Sequence, residues 1–315
     1  MTIRFVLDER SLSLDGLAPS DGIEVLEQFL DRIDDAALDR REVLYSSEFF
    51  ETPILGELTF WDLCDATSPI VLPKEMQERA AAAFGTLARW DEGEDWPADF
   101  NVSVNGQAFQ SRPSVAWAHF RNSNPQTEII ACISSSTRGP TGLHEVLNST
   151  VTRPVWFVET DRHSELFYRW VGSEHTGSPA ALAELASASF KNLKFVGDCW
   201  TGIRTMTGQY RDLVRVIVQH LGGLSDEGRR IFSGSWQHVP AEFGSLGIEI
   251  SDENGGTKQN AQARRERRIV VDGNERYFWW HTKLEPHQNR IHISPDDVPT
   301  GGKIVVGIFC HHLTI

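Results

Sequence analysis

The stretch RYFWWHTKLEPHQNRIHIS (276–294) predicts a β-hairpin, because two segments of alternating residues flank EPHQN, a sequence typical of turns. Successive side chains of a strand point to opposite faces of its sheet. His281 and Lys283 therefore share one face in the first arm, and Arg290 and His292 share one in the second. Aromatic residues line both faces of the first arm, and Ile291 and Ile293 take the opposite face of the second. The pattern predicts a sheet with one ionisable face and one packing face.

A third strand is predicted at KIVVGIFCHHL (303–313), which is apolar until it ends in His311 and His312. With the hairpin it would form an antiparallel sheet of three strands. Five of the eleven histidines of the chain lie within its last 35 residues. The ionisable side chains are thus concentrated at this end of the sequence.

The preceding chain reads as a mixture of strands and helices. We expect helix starts at Ser20 or Asp21 and at Ser178, and a further helix capped by Ser225. The segment 158–165, VETDRHSE, is interpreted as a charged turn. The predicted helices are 19–41, 73–90 (broken or weakened at Gly85), 178–190 and 205–221, and the predicted strands are 2–8, 114–120, 128–135 and 153–160.

The fold class predicted from these elements is α+β, with a mixed α/β body at residues 1–243 and a β-rich tail at 244–315. The boundary is placed at the polar stretch 244–262, which is typical of a linker. A tail of this size is small for an independent domain, so we expect it to pack on the body or pair with an upstream strand.

Charge divides the chain in the same way. The net charge is −14, but residues 258–315 carry nine Lys and Arg against six acids, a local +3, which leaves −17 on the rest. This asymmetry suggests that the tail meets an anionic partner, such as RNA or the ribosome, while the acidic body binds a protein or restrains the tail. A cluster of basic residues on a solvated face would produce the same pattern.

Several classes of protein are disfavoured by the sequence. Four widely spaced cysteines without a CxxC motif fit reduced thiols, and no apolar run of about 18 residues is present, so a cytoplasmic protein without membrane contact is expected. The common nucleotide, zinc-protease, hydrolase and calcium motifs are absent. We therefore expect no cofactor and no metal.

The ionisable face has the side chains that metal-independent RNA cleavage needs. Histidine can remove the proton of the 2′-hydroxyl or protonate the leaving oxygen near neutral pH, and Arg or Lys can stabilise the charge of the pentavalent phosphate. The candidate catalytic residues are His281, Lys283, Arg290, His292 and His312. The candidate nucleic-acid-binding residues are Arg264, Arg265, Arg267, Arg268, Tyr277, Trp279 and Lys303.

The pieces HTK, NRIHI and GKIVVGIFCHHL resemble the β-sheet half of the RelE/ParE-like toxin superfamily, over about 40 residues. The resemblance implies a bacterial toxin or antiviral defence context and a ribosome-dependent endoribonuclease. It implies that His281, Lys283 and Arg290 lie in the cleavage pocket, with His312 or His311 at its end.

Four alternatives remain open from the sequence. The tail could be a non-catalytic subunit that binds nucleic acid or an acidic protein, or an ordinary sheet with one solvated face. The acidic body could itself be the functional surface. His281, His292 and His312 could converge on a metal, although neither HxH nor HxxxH spacing supports this.

Overall fold

The computed structural model describes residues 1–92, 96–97, 99–286 and 288–315. The chain divides into two compact units, 1–167 and 168–315. Both contain helices and strands, and the predicted α+β class is confirmed. The division lies well before the expected boundary at 243/244, because residues 244–315 share one sheet and one core with residues from 182 onward. The supposed linker at 244–262 contains a strand and two short helices.

The first unit is built on an eight-stranded sheet in the order β3-β2-β1-β6-β8-β7-β4-β5. Its strands are β1 Thr2–Leu7, β2 Glu42–Tyr45, β3 Ala88–Arg89, β4 Val102–Val104, β5 Gln107–Phe109, β6 Glu128–Ile133, β7 Gly142–Asn148 and β8 Val151–Val158. Its helices are α1 Pro19–Leu38, α2 Lys74–Phe84 and α3 Pro113–Arg121, and α4 Asp161–His175 begins in it. The five strands from β3 to β8 in that order are parallel, and β7, β4 and β5 extend the sheet antiparallel.

The second unit is built on a five-stranded sheet in the order β10-β13-β14-β15-β9. Its strands are β9 Leu193–Phe195, β10 Glu249–Asp252, β11 Arg268–Val271, β12 Asn274–Tyr277, β13 Trp280–Glu285, β14 Gln288–Ser294 and β15 Ile304–Cys310; β11 and β12 form a separate hairpin. Its helices are α5 Pro179–Ser189, α6 Tyr210–Phe232, α7 Val239–Ser245, α8 Gly255–Gln259 and α9 Ala261–Glu266.

Both faces of the second sheet are covered. On one face Leu284, Ile291 and Ile293 belong to a buried apolar cluster that includes the buried stripe of α6. On the other face β11 contributes Val271 and Ile269 to a smaller cluster that includes Phe278 and Val305. The ionisable residues of β13 and β14 lie on this second face, so their surroundings differ from the open surface that the sequence suggested.

Helix α6 shows why one helix boundary was predicted wrongly. The expected cap Ser225 lies inside α6, fully buried, and the helix continues through three glycines, at 222, 223 and 228. A Cβ atom at Gly223 would overlap Ile248, and one at Gly228 would overlap Ile304. These glycines allow α6 to approach the sheet closely and do not end the helix. The predicted cap Ser178 is confirmed, since its side chain accepts a hydrogen bond from the Ala181 amide.

Two segments of the first unit also differ from the sequence prediction. Residues 114–120, expected as a strand, belong to helix α3, whose first seven residues are all buried, so that no periodicity marks it as a helix. The residues at its ends, Pro113 at the first position and Asn122 at the C-cap, are typical of a helix. The predicted charged turn at 158–165 contains the first turn of α4. Helix α1 starts at Pro19, with Ala18 at the capping position.

Candidate functional site

The predicted hairpin is confirmed as β13 and β14. They pair antiparallel with His281 opposite His292 and Lys283 opposite Arg290, so these four residues share one face as expected. The two imidazole rings lie 5.0 Å apart between centroids. The first arm is shorter than predicted, because Phe278 and Trp279 separate β12 from β13.

This group of residues is buried. His281 is 5% exposed, Arg290 9% and His292 0%. The backbone that follows β10 and the end of α9 contribute Glu253 and Arg267 to the same group. We call Glu253, Arg267, His281, Arg290 and His292 the interior cluster.

Arg267 anchors Glu253. Its Nε and Nη2 donate to Glu253 Oε1 at 3.1 and 2.7 Å, and its Nη1 donates to the carbonyls of Ala263 and Thr314 at 3.2 and 2.9 Å. Arg267 is only 1% exposed, so the expectation that it contacts nucleic acid is wrong. Glu253 was missed because it lies in SDENGG, which was interpreted as linker. No periodic signal distinguishes such a residue before the fold is known.

A hydrogen bond to a carbonyl indicates which nitrogen carries the proton in His292. His292 Nδ1 lies 3.1 Å from the Phe278 carbonyl, which can only accept, so Nδ1 carries the hydrogen and Nε2 keeps its lone pair. His281 Nε2 lies 3.2 Å from Ser251 Oγ, and its Nδ1 lies 3.4 Å from Glu253 Oε1. Among the described residues, neither His281 Nδ1 nor His292 Nε2 has a hydrogen-bond partner.

Both histidines are neutral at pH 7. Burial, followed by the Arg290 charge, lowers the pKa of His281 to about 3. Burial, followed by the neighbouring His281, lowers the pKa of His292 well below its ordinary value. In this state the imidazoles can accept a proton or bind a metal, but they cannot supply the proton that a general acid must give.

The remaining candidate catalytic residues lie at the margin of this group or outside it. Lys283 forms an ion pair with Glu249 and is partly exposed. His312 lies beyond the end of β15 and is exposed, and it is not among the groups that converge with Glu253 in the described chain. His311 contacts Thr207 Oγ1 through Nδ1 at 3.0 Å. The structure therefore brings together His281, Arg290 and His292 but not His312.

A second group of predicted residues lies on the surface. Arg264, Arg265, Arg268 and Tyr277 line a cleft of about 350 Å³ together with Ala261. The rings of Tyr277 and Trp279 stack with centroids 5.2 Å apart and an interplanar angle of 1°. We call Arg264, Arg265, Arg268, Tyr277 and Trp279 the basic–aromatic patch.

Cations cover the aromatic pair of the patch. The Arg264 guanidinium lies over the Tyr277 ring, 4.7 Å from its centroid, and Lys258, which the sequence analysis missed, lies 5.9 Å from the centroid of Trp279. Arg264 and Arg265 bond to neutral groups, and in the part of the chain that the structure describes neither pairs with a carboxylate. Their charges are available to a ligand. Lys303 is exposed just before β15.

The first unit has a polar site that the sequence analysis did not identify. In the sheet β1 lies between β2 on one side and β6 on the other, so the strand order reverses at β1 and β6. Open α/β sheets bind ligands in the crevice at the carboxyl ends of the strands at such a point. Asp8 and Glu9 follow β1 and are buried, and Arg112 donates to Asp8 Oδ2 at 2.7 Å. A cleft of about 390 Å³ beside them is lined by residues that include Arg10, Phe109, Arg112 and Arg138.

Comparisons with known proteins identify no relative of this chain. No protein-family model, no curated protein and no solved structure matches the chain. The resemblance of the tail to RelE/ParE-like toxins stays a prediction. Among the described residues, no helix has the length and apolar character needed to cross a bilayer.

Proposed function

We propose that the second unit binds single-stranded RNA on its basic–aromatic patch. The observation that carries this proposal is the Tyr277–Trp279 stack beside a cleft lined by arginines. Single-stranded RNA exposes planar bases and one phosphate charge per nucleotide, and proteins bind it by combining aromatic stacking with cationic contacts.

Each part of the patch has a role in this binding. Arg264 and Arg265 contact phosphates, because no carboxylate among the described residues neutralises them. A base stacks on the Arg264 guanidinium plane or takes its place on the Tyr277 ring, since both surfaces are flat and already in stacking geometry. Base stacking of this kind is worth about 1–3 kcal/mol per base.

RNA cleavage is a second candidate function, supported by the convergence of His281, His292 and Arg290. Metal-independent cleavage requires one protonated group, whereas burial keeps both imidazoles neutral at pH 7. Cleavage would therefore require that the covering segments move away. A bacterial toxin or antiviral defence context, a cytoplasmic location and a protein partner for the acidic first unit belong to this proposal.

Binding is tested by fluorescence anisotropy with a labelled single-stranded RNA at several salt concentrations. We expect Arg264→Ala/Arg265→Ala to weaken binding on the order of tenfold and to reduce the slope of log K against log salt by about 1.4, since each phosphate contact to a single strand contributes about 0.7. The matched control is Arg229→Ala/Arg230→Ala, which removes two exposed arginines from the end of α6 in the same unit. An equal loss in both variants would refute a specific patch.

The same samples distinguish the other outcomes. Labelled single-stranded DNA and an acidic protein replace the RNA in parallel titrations, and tighter binding of either would contradict the choice of RNA. Gel analysis of the RNA, with and without ribosomes and with EDTA, shows whether it is cut. Degradation that persists in EDTA and is abolished by Arg290→Ala would support cleavage by the interior cluster.

A further inference from the structure

We propose that Glu253, His281 and His292 form a binding site for a divalent transition metal, with Zn²⁺ as the best fit. One carboxylate oxygen and two imidazole nitrogens from these residues lie within 4.8 Å of one another. In a tetrahedral zinc site with bonds of about 2.0–2.1 Å, neighbouring ligand atoms are about 3.3 Å apart. His281 Nδ1 and Glu253 Oε1 are already 3.4 Å apart. The other distances between ligand atoms, which are at most 4.8 Å, would shorten by up to about 1.5 Å on metal binding.

Two buried nitrogen atoms without hydrogen-bond partners support the proposal that a metal binds here. His281 Nδ1 and His292 Nε2 are buried and lack partners among the described residues, and both belong to side chains less than a tenth exposed. A buried polar atom without a partner destabilises a fold, so native proteins rarely retain one without a reason. A metal would bind the lone pair of His292 Nε2 and, in the tautomer whose Nε2–H faces Ser251 Oγ, that of His281 Nδ1.

The outer contacts of the three residues are those of metal ligands. The second nitrogen of a metal-bound histidine usually bonds to a carbonyl, carboxylate or hydroxyl, which fixes the ring. His292 Nδ1 contacts the Phe278 carbonyl, and His281 Nε2 contacts Ser251 Oγ. Glu253 is held in turn by Arg267. Each ligand is therefore oriented before any metal binds.

The ligand atoms at the site select the kind of metal. Mg²⁺ depends on several oxygen ligands, whereas these three residues offer two imidazole nitrogens and one carboxylate oxygen. Imidazole suits Zn²⁺ and its neighbours among the transition metals. Three protein ligands leave one coordination position, and Arg267 and Arg290, which interact electrostatically with both imidazoles, favour an anion there, such as hydroxide or phosphate.

This site is independent of the proposed RNA-binding patch, because it uses none of the patch residues. Its test is metal binding by the full chain after EDTA treatment and dialysis, with Zn²⁺ and Mg²⁺ titrated calorimetrically and bound zinc counted by mass spectrometry. We expect one Zn²⁺ per chain, a melting temperature that rises with Zn²⁺ concentration, and no comparable effect of Mg²⁺. Co²⁺ should give the visible absorption typical of a four-coordinate ion.

The variants are chosen so that misfolding cannot hide the answer. Glu253→Gln and His281→Asn preserve size and polarity, and circular dichroism checks their fold. Each should weaken Zn²⁺ binding at least tenfold, whereas His311→Ala/His312→Ala, which removes two exposed histidines of the same unit, should bind like the unaltered chain. Absence of stoichiometric zinc, or loss of binding only in the His311/His312 variant, would overturn the site.

Discussion

The buried charges of the two units are satisfied in different ways. In the first unit Arg112 donates hydrogen bonds to Asp8 and to two backbone carbonyls, while the neighbouring Glu9 keeps one oxygen without a partner among the described residues. In the second unit Arg267 is bonded in a similar way to Glu253, but the free atoms beside it are imidazole nitrogens. A buried arginine thus holds a carboxylate in both units, but the neighbouring group with a free atom is a carboxyl in the first unit and an imidazole in the second.

The difference lies in which protonation state burial favours. Burial, followed by the Asp8 charge, raises the pKa of Glu9 to about 7, so the neutral acid is favoured. Burial lowers the pKa of His281, so the neutral base is favoured. Burial thus favours the neutral form of both groups, because it raises the pKa of a carboxylic acid and lowers the pKa of an imidazole.

Removing the anchors should have the largest effect on stability. Arg112→Ala and Arg267→Ala each leave a buried carboxylate without its cation, and breaking such a pair typically costs about 3–5 kcal/mol. Hydrogen exchange read by mass spectrometry separates the units, and we expect lost protection in 1–167 for the first variant and in 168–315 for the second. Arg230→Ala, an exposed control, should change neither. Uniform loss of protection across both units would show that the anchors are not local.

The pH dependence of stability should differ in sign between the units. The Glu9 carboxyl binds its proton more tightly in the folded state, so it contributes fully to the free energy of unfolding below pH 4.5, and this contribution is lost as the pH rises toward 7. The free energy of unfolding should therefore fall by about 3 kcal/mol over that range in the unaltered chain and not in Glu9→Gln. The His281 contribution is full above pH 6.5 and is lost as the pH falls toward 3.

Urea unfolding of the unaltered chain, Glu9→Gln and His281→Asn between pH 4 and 8 checks both signs. His281→Asn should reduce the loss of stability below pH 6.5 and leave the loss toward pH 7 unchanged. Parallel curves for all three proteins would mean that neither group titrates differently in the folded and unfolded states.

The smallest effect is expected at Lys283, which marks the edge of the interior cluster. Its ion pair with Glu249 is partly exposed, so Lys283→Ala should cost only about 0–1 kcal/mol, and less at high salt. RNA binding should be unchanged, because Lys283 is not part of the patch. A large loss of RNA binding would instead favour a ligand on the β13–β14 face.

The sequence was most informative where residues alternate between a polar and an apolar environment. The period-two pattern of 280–294 predicted which residues share a face, and the structure confirms His281 with His292 and Lys283 with Arg290. The pattern could not reveal that α9 and the β11–β12 hairpin cover this face, since covering depends on contacts between distant segments. Burial of Arg267 was unpredictable for the same reason.

The first unit illustrates the opposite limit. Helix α3 is buried almost throughout, so its composition matches a buried strand as well as a helix. The sequence does not single out Asp8 and Glu9, because acids are common in this chain and only the strand order places these two at the crevice between the carboxyl ends of β1 and β6. Local periodicity therefore predicts strands and the residues that share a face of the sheet. Sites formed by residues from distant strands can be recognised only once the order of the strands is known.

In our proposals the second unit binds RNA at its surface and a divalent metal in its interior, at separate sites. Measuring RNA affinity for Arg264→Ala/Arg265→Ala and for Glu253→Gln side by side tests this separation. We expect a loss on the order of tenfold for the first variant and unchanged affinity for the second. Normal binding by the patch variant with lost binding by Glu253→Gln would refute the separation and place the RNA site at the interior cluster.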